Sequence, residues 1–258
     1  MTIQALVIGI GSGNPDHLTR EAVAALNRVD VFLVADKGAA KHDLVELREG
    51  ICRAVVAHDH YRFIEVPDPD RGPDRERDAA DYQLGVAAWH EARARRYAEI
   101  IIAEVDDGGT VGFLVWGDPA IYDSTIRIAE SITGLGVDLD ITVIPGISSI
   151  QLLAARHKII LNRVGQPIHV TTGRQLLKEY SPALGDVVVM LDGDLACGSL
   201  VERFGKLMIY WGAQLGLPDE ALISCQLSEV LDEIRHTRAA IRRARGWVMD
   251  TYLLRPPD

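Results

Sequence analysis

Residues 3–8 form an almost wholly apolar run that ends in Gly9-Ile10-Gly11-Ser12-Gly13-Asn14-Pro15. No other junction in the chain limits the fold as strongly. A buried strand that breaks into a glycine turn and then enters a helix belongs to an α/β architecture, with the strand covered on both faces. Such a turn offers bare N–H groups beside a helix N-terminus, which suits an anion or a close backbone approach. The dinucleotide fingerprint G-x-G-x-x-G requires a third glycine at position 14. Asn14 stands there, followed by Pro15.

The same alternation runs on. Apolar segments at 29–35, 111–116 and 139–144 read as strands. Residues 19–26 read as a helix with Thr19 as N-cap, and 41–54 as another, with Leu44, Leu47 and Ile51 at helical spacing. Residues 79–105 read as a long helix whose face carries Tyr82, Val86, Trp89 and Ile100, and 121–132 as a further helix. Residues 66–77 hold Pro67, Pro69 and Pro73 among dense charge, the pattern of a surface loop. Beyond residue 144 the pattern restarts, with strands at 168–171, 187–191, 207–211 and 247–254 and helices at 150–155 and 228–245. The expected fold is α/β in two domains, residues 1–144 and 145–258.

With 258 residues, each half is long enough for its own core. A net charge of −10 argues against a protein that grips nucleic-acid phosphates. No apolar run reaches the ~20 residues of a membrane span, and no signal-peptide series opens the chain. Cys52, Cys197 and Cys225 make no C-x-x-C, so neither zinc nor a disulfide framework is expected. His58-Asp59-His60 lacks a third ligand nearby, so no metal site is expected either. The expected location is cytoplasmic.

Two further strand ends repeat the glycine design: Gly117-Asp118-Pro119 and Pro145-Gly146-Ile147-Ser148-Ser149. Ligands of open α/β sheets bind at the carboxyl ends of strands, so three such loops can line one site. Asp118 reads two ways, as a group that contacts a cofactor or orients a reacting centre, or as the cap of the following helix. Asp36 and Lys37 end the second strand, at a substrate edge or in a solvated turn. Arg48 and Arg174 offer guanidinium groups that match carboxylates bidentately. His90 is the histidine considered as a base. A nicotinamide oxidoreductase stays open at this point, because Asp36 sits where an acidic ribose-binding residue would.

In series, the three loops resemble those of the tetrapyrrole methylase family, and Thr171-Thr172-Gly173-Arg174 continues the match. The resemblance implies two α/β domains around a cleft, usually in a homodimer, with S-adenosylmethionine folded between them and a tetrapyrrole as substrate. It implies cofactor contacts from Pro15, Trp116, Gly117, Asp118, Ser148, Ser149, Leu191, Trp211, Gly212 and Ala213. Substrate contacts would come from Gly11, Gly13, Asp36, Lys37 and Arg174, with Asp118 as the catalytic candidate. The segment 66–77, Asp81-Tyr82 with Trp89-His90, Tyr210-Trp211-Gly212-Ala213 and residues 246–255 look like the family members that methylate precorrin-5 at C-1 and release acetate. Another precorrin methylation is the neighbouring alternative. Diphthine synthase and a ribosomal RNA methyltransferase share the loops, and the acidic charge disfavours RNA.

Overall fold

A computed structural model of the chain describes residues 2–36, 43–69 and 79–257. It divides into two compact units, Met1–Ile147 and Ser148–Asp258. The first unit runs β1 (Ile3–Gly9), α1 (Arg20–Leu26), β2 (Val31–Asp36), α2 (Asp43–Val55), β3 (Arg62–Pro67), α3 (Ala79–Glu104), β4 (Thr110–Val115), α4 (Thr125–Gly134) and β5 (Leu139–Ile144). Its five strands lie in the order β3-β2-β4-β1-β5, all parallel. Helical crossovers make parallel pairing possible, and period-2 alternation then sends successive side chains to opposite faces. Ala5, Val7, Phe113 and Val115 join Tyr97 and Ile101 of α3 and Ile128 and Ile132 of α4 in one cluster. Leu6, Ile8 and Leu114 join Ala22 and Leu26 of α1 and Ile51 of α2 in another.

The second unit runs α5 (Ser149–His157), β6 (Ile168–Thr172), α6 (Gly173–Glu179), β7 (Asp186–Met190), α7 (Val201–Phe204), β8 (Met208–Ala213), β9 (Ala221–Gln226), α8 (Leu227–Arg245) and β10 (Asp250–Arg255). Its sheet order is β6-β7-β10-β8-β9. Only β6 and β7 pair in parallel; the other neighbours are antiparallel. The link from β8 to β9 is too short for a crossover, so those strands must fold back on each other. Val187, Val189, Ile209, Trp211, Tyr252 and Leu254 pack with Leu227, Leu231 and Ile234 of α8.

Several local expectations change. Residues 62–67 are strand β3, although Val66 and Pro67 read as the start of a loop; residues 70–78 of that segment lie outside the described residues. α4 starts at Thr125, four residues later than the periodicity indicates, because the turn after β4 extends past Pro119. The buried stripe of α3 is Arg93, Ala94, Tyr97, Ala98 and Ile101. Val86 and Ile100, of the expected face, are only partly buried. The side chain of Tyr82 is not among those described. β9 and α6 also emerge, neither with an apolar run strong enough to mark it.

Candidate active site

The three glycine loops follow β1, β4 and β5, and in the sheet these are neighbours in the order β4-β1-β5. The loops therefore meet at the carboxyl edge of one sheet. They meet through backbone. A Cβ on Gly146 would lie 2.1 Å from the Gly117 carbonyl oxygen and 2.9 Å from the Gly9 Cα. A Cβ on Gly9 would lie 2.6 Å from the Gly146 nitrogen. No side chain fits at either position, so glycine is required by close approach rather than by turn geometry.

Hydrogen bonds fix the crossing. Gly117 N–H donates to the Gly11 carbonyl at 2.6 Å, and Gly11 N–H returns a bond to the Gly117 carbonyl at 3.3 Å. Both residues have φ of +68°, the left-handed region that glycine occupies without strain. Asp118 closes the set. Its Oδ2 accepts from Gly146 N–H at 2.9 Å and its Oδ1 from Ala120 N–H at 2.8 Å. The carboxylate thus ties the second loop to the third and turns its own loop. It does not cap α4, which starts at Thr125 under Ser124.

The first loop leaves the dinucleotide pattern for a visible reason. Asn14 Oδ1 accepts from Asp16 N–H at 2.9 Å and caps a single 3-10 turn that Pro15 opens. Gly13, at φ +111°, lets the chain enter that turn. Trp116 stands between β4 and Gly117, with Arg48 of α2 4.7 Å over its ring. Asp36 ends β2, and its carbonyl accepts from Asp68 N–H. Lys37 lies outside the described residues.

In the second unit, Ser148 is 2% exposed and works as a helix cap. Its Oγ accepts from Ile150 N–H, and Gln151 Oε1 accepts from Ser148 N–H. Ser149, the first residue of α5, is half-buried. Leu191 follows β7 with φ +51° and is 66% exposed. A non-glycine residue in that region costs ~1–2 kcal/mol, and the surroundings hold it there. The next residue, Asp192, is buried. Its Oδ2 accepts from Tyr252 O–H at 2.6 Å and Ala196 N–H at 2.7 Å, while its carbonyl accepts from Arg238 Nη2 at 2.6 Å. Arg238 Nε lies 2.8 Å from Asp250 Oδ2, which also accepts from the Trp211 indole N–H. Burial raises the Asp250 carboxyl above its usual range, while Arg238 and Trp211 pull it down. Burial likewise pushes the Cys197 thiol beside Tyr252 up to about 12, so it remains a protonated, unreactive thiol.

Trp211 therefore serves the core with its side chain, and its carbonyl faces His157 Nε2 at 2.9 Å. Gly212 leaves room for Leu215 and Leu153; a Cβ there would meet their methyl groups at 2.8 and 3.0 Å. Ala213 ends β8 opposite Asp250. Gln214, at φ +52°, continues the ladder by other means: its N–H donates to the Met249 carbonyl, and its Oε1 accepts from Met249 N–H. Arg174 is exposed in the first turn of α6. Within units, then, the structure joins Gly11, Gly117 and Asp118 in one cluster, and Trp211 and Ala213 with Asp250 in another. Sequence reading missed Asp192, Arg238, Asp250 and Tyr252. Their only sequence signal is Arg238 on the otherwise apolar stripe of α8.

A family model for tetrapyrrole (corrin/porphyrin) methylases matches residues 5–231. A precorrin-6A synthase (deacetylating) of Sinorhizobium is 45% identical over 251 residues, 97% of this chain and 94% of the relative. A cobalamin synthesis related protein of Corynebacterium diphtheriae has a similar solved structure, with TM-score 0.84, 35% identity and full coverage of both chains. A uroporphyrin-III C-methyltransferase of Thermus thermophilus, solved with S-adenosylhomocysteine, shares the fold at TM-score 0.60 and 17% identity, covering 97% of this chain and 91% of that one.

Proposed function

The chain belongs to the tetrapyrrole (corrin/porphyrin) methylase family, and we propose that it methylates precorrin-5 at C-1 and releases the acetyl group as acetate, giving precorrin-6A. It is a methyltransferase, and S-adenosylmethionine supplies the methyl group when bound. The carrying observation is the interlocked crossing of Gly9, Gly117 and Gly146, which fixes three strand-end loops at the carboxyl edge of one sheet. Ligands of open α/β sheets bind at that edge.

In this reading Gly117, Asp118, Ser149, Leu191, Gly212 and Ala213 hold the cofactor, mainly through backbone groups. Pro15, with Gly11 and Gly13, borders the reacting end, and Asp36, Lys37 and Arg174 face the tetrapyrrole. A pyrrolic enamine carbon is already electron-rich, so methyl transfer asks the protein chiefly for alignment. The interlocked loops supply rigidity for that. Asp118 acts here as a positioning residue, since both its oxygens accept backbone N–H bonds. Acetate loss requires water to add to the acetyl carbonyl, with the C–C bond electrons returning to the macrocycle. The enzyme works as a cytoplasmic homodimer in this proposal, which light scattering of the purified protein tests.

Incubation of the protein with S-adenosylmethionine and precorrin-5 tests the reaction. Methylated product and acetate in equal amounts are expected. Tight binding of S-adenosylhomocysteine without either product would overturn the substrate assignment.

A further inference from the structure

Among the described residues, the buried Arg93 and Arg238 and the half-buried Arg255 each have a carboxylate partner. Arg93 lies 2.8 Å from Asp68, Arg238 2.8 Å from Asp250 and Arg255 3.0 Å from Asp186. Arg48 of α2 is different. Its Nη1 donates to the Leu44 carbonyl at 3.1 Å and its Nε to the Leu114 carbonyl at 3.4 Å. Among the described residues no carboxylate lies within ion-pair distance of it. Asp123 acts on it through charge alone, and Asp123 Oδ1 accepts from Thr125 N–H at 2.6 Å. Burial lowers the guanidinium to about 10, with Tyr97 and Asp123 opposing that shift and Arg93 adding to it.

A second donor stands beside it. Arg48 stacks 4.7 Å over the ring of Trp116, and the buried indole Nε1 of Trp116 has no hydrogen-bond partner. Leaving a buried donor unpaired costs ~1–3 kcal/mol, and an unpaired desolvated charge costs more. Two such costs at adjoining side chains are explained by an absent acceptor that carries negative charge. Trp116 runs directly into Gly117, so this pair borders the carboxyl edge of β4-β1-β5, where ligands of α/β sheets bind.

We propose that Arg48 and Trp116 form a carboxylate-binding site, with the guanidinium Nη2 and the indole N–H as donors to the two oxygens of one carboxylate. The inference rests on the methyltransferase reading for its two sources of that group, an acidic substituent on the rim of the tetrapyrrole or the amino-acid carboxylate of the cofactor. A planar guanidinium stacked on an aromatic ring presents its free edge in a fixed direction, which a lysine would not do. Arg48 is thereby a binding residue, and Arg93, neutralised by Asp68, is not a substitute for it.

Arg48→Met and Arg48→Gln test the proposal against wild type by three measurements: KM for precorrin-5, and calorimetric Kd for S-adenosylhomocysteine and for its decarboxylated analogue. A rim carboxylate predicts KM raised roughly tenfold or more with both Kd values unchanged. A cofactor carboxylate predicts a comparable loss for S-adenosylhomocysteine and none for the decarboxylated analogue. Values within about twofold of wild type in all three, for a variant that melts normally, overturn the site. If Arg48→Met fails to fold, Arg48→Gln decides on the same terms, since it can still donate to one carbonyl. Should precorrin-5 prove not to be the substrate, titration with acetate still reads the site. The Trp116 indole N–H resonance, assigned by Trp116→Phe, should move in wild type and stay fixed in Arg48→Gln, whereas a fixed wild-type resonance counts against the proposal.

Discussion

The two units hold their strand-end turns by opposite means. In the first, side chains are absent where the turns cross: Gly9, Gly117 and Gly146 touch main chain to main chain, and one carboxylate, Asp118, pins the crossing. In the second, the turn at Leu191 is held by buried charge, with Asp192, Tyr252, Arg238, Asp250 and Trp211 joined in one network. The first arrangement is intolerant of added volume, and the second of lost partners. A backbone crossing fails through steric collision, whereas an ionic network fails through desolvation left uncompensated.

The largest effect is expected from Arg238→Met. It leaves Asp250 buried without its counter-charge, a loss of about 3–5 kcal/mol by chemical denaturation near neutral pH. The loss should depend on pH in a defined direction. Burial raises the folded-state pKa of Asp250 above its unfolded value, and removal of Arg238 raises it further. A raised carboxyl contributes stability that is full below the unfolded pKa of ~3.9 and is lost as pH rises through the folded pKa. The variant should therefore approach wild type on acidification. A stability difference that stays constant with pH would refute this account of Asp250.

Gly146→Ala comes next. The added methyl meets the Gly117 carbonyl oxygen at 2.1 Å, and the loop must move at a cost of about 3 kcal/mol, the upper end for overpacking. Binding of S-adenosylhomocysteine should fall with it. Gly50→Ala in α2 is the control, because nothing lies within 4 Å of a Cβ there, and a gain of roughly 0.5–1 kcal/mol is expected. Equal melting temperatures for the two variants would remove the distinction between them.

Tyr252→Phe removes one bond to the Asp192 carboxylate and should cost about 1.5 kcal/mol. It sharpens the comparison if cofactor affinity falls too, since that would tie the network to the Leu191 turn. An unchanged Kd would reduce the network to a stabilising role. Asp118→Asn is the mildest, at about 1 kcal/mol, because the amide keeps one acceptor oxygen and loses the other. Turnover that falls more than affinity would mark Asp118 as aligning the reacting groups.

These two regions also differ in how far they could be read in advance. Glycine after an apolar strand is conspicuous, and the order of the three loops carried the family resemblance. That β4, β1 and β5 are neighbours is a matter of crossover topology, which no local pattern encodes. β3 and β9 escaped because polar residues interrupt both. In β3, Arg62 and Glu65 flank the half-buried Phe63 and Ile64, while β9 alternates between partial burial and exposure, so neither carries the apolar run of a central strand. The Asp192 network escaped because acids and arginines far apart in the chain look like surface charge until folding places them together. Arg48 was legible as a cation that suits a carboxylate, but not as one without a partner, since partnership is a property of packing.

The sequence by itself determined the α/β alternation, the three glycine turns, their order and hence the family. Those features depend on residues close in the chain and on the conformational freedom of glycine. Tertiary structure decided that the turns interlock through backbone, that Asp118 works as their clasp, and that Ser148 and Trp211 serve a helix cap and a core. It also decided which buried charges are neutralised. Each of these depends on distances between residues far apart in sequence, and burial rather than residue type sets the cost of a missing partner.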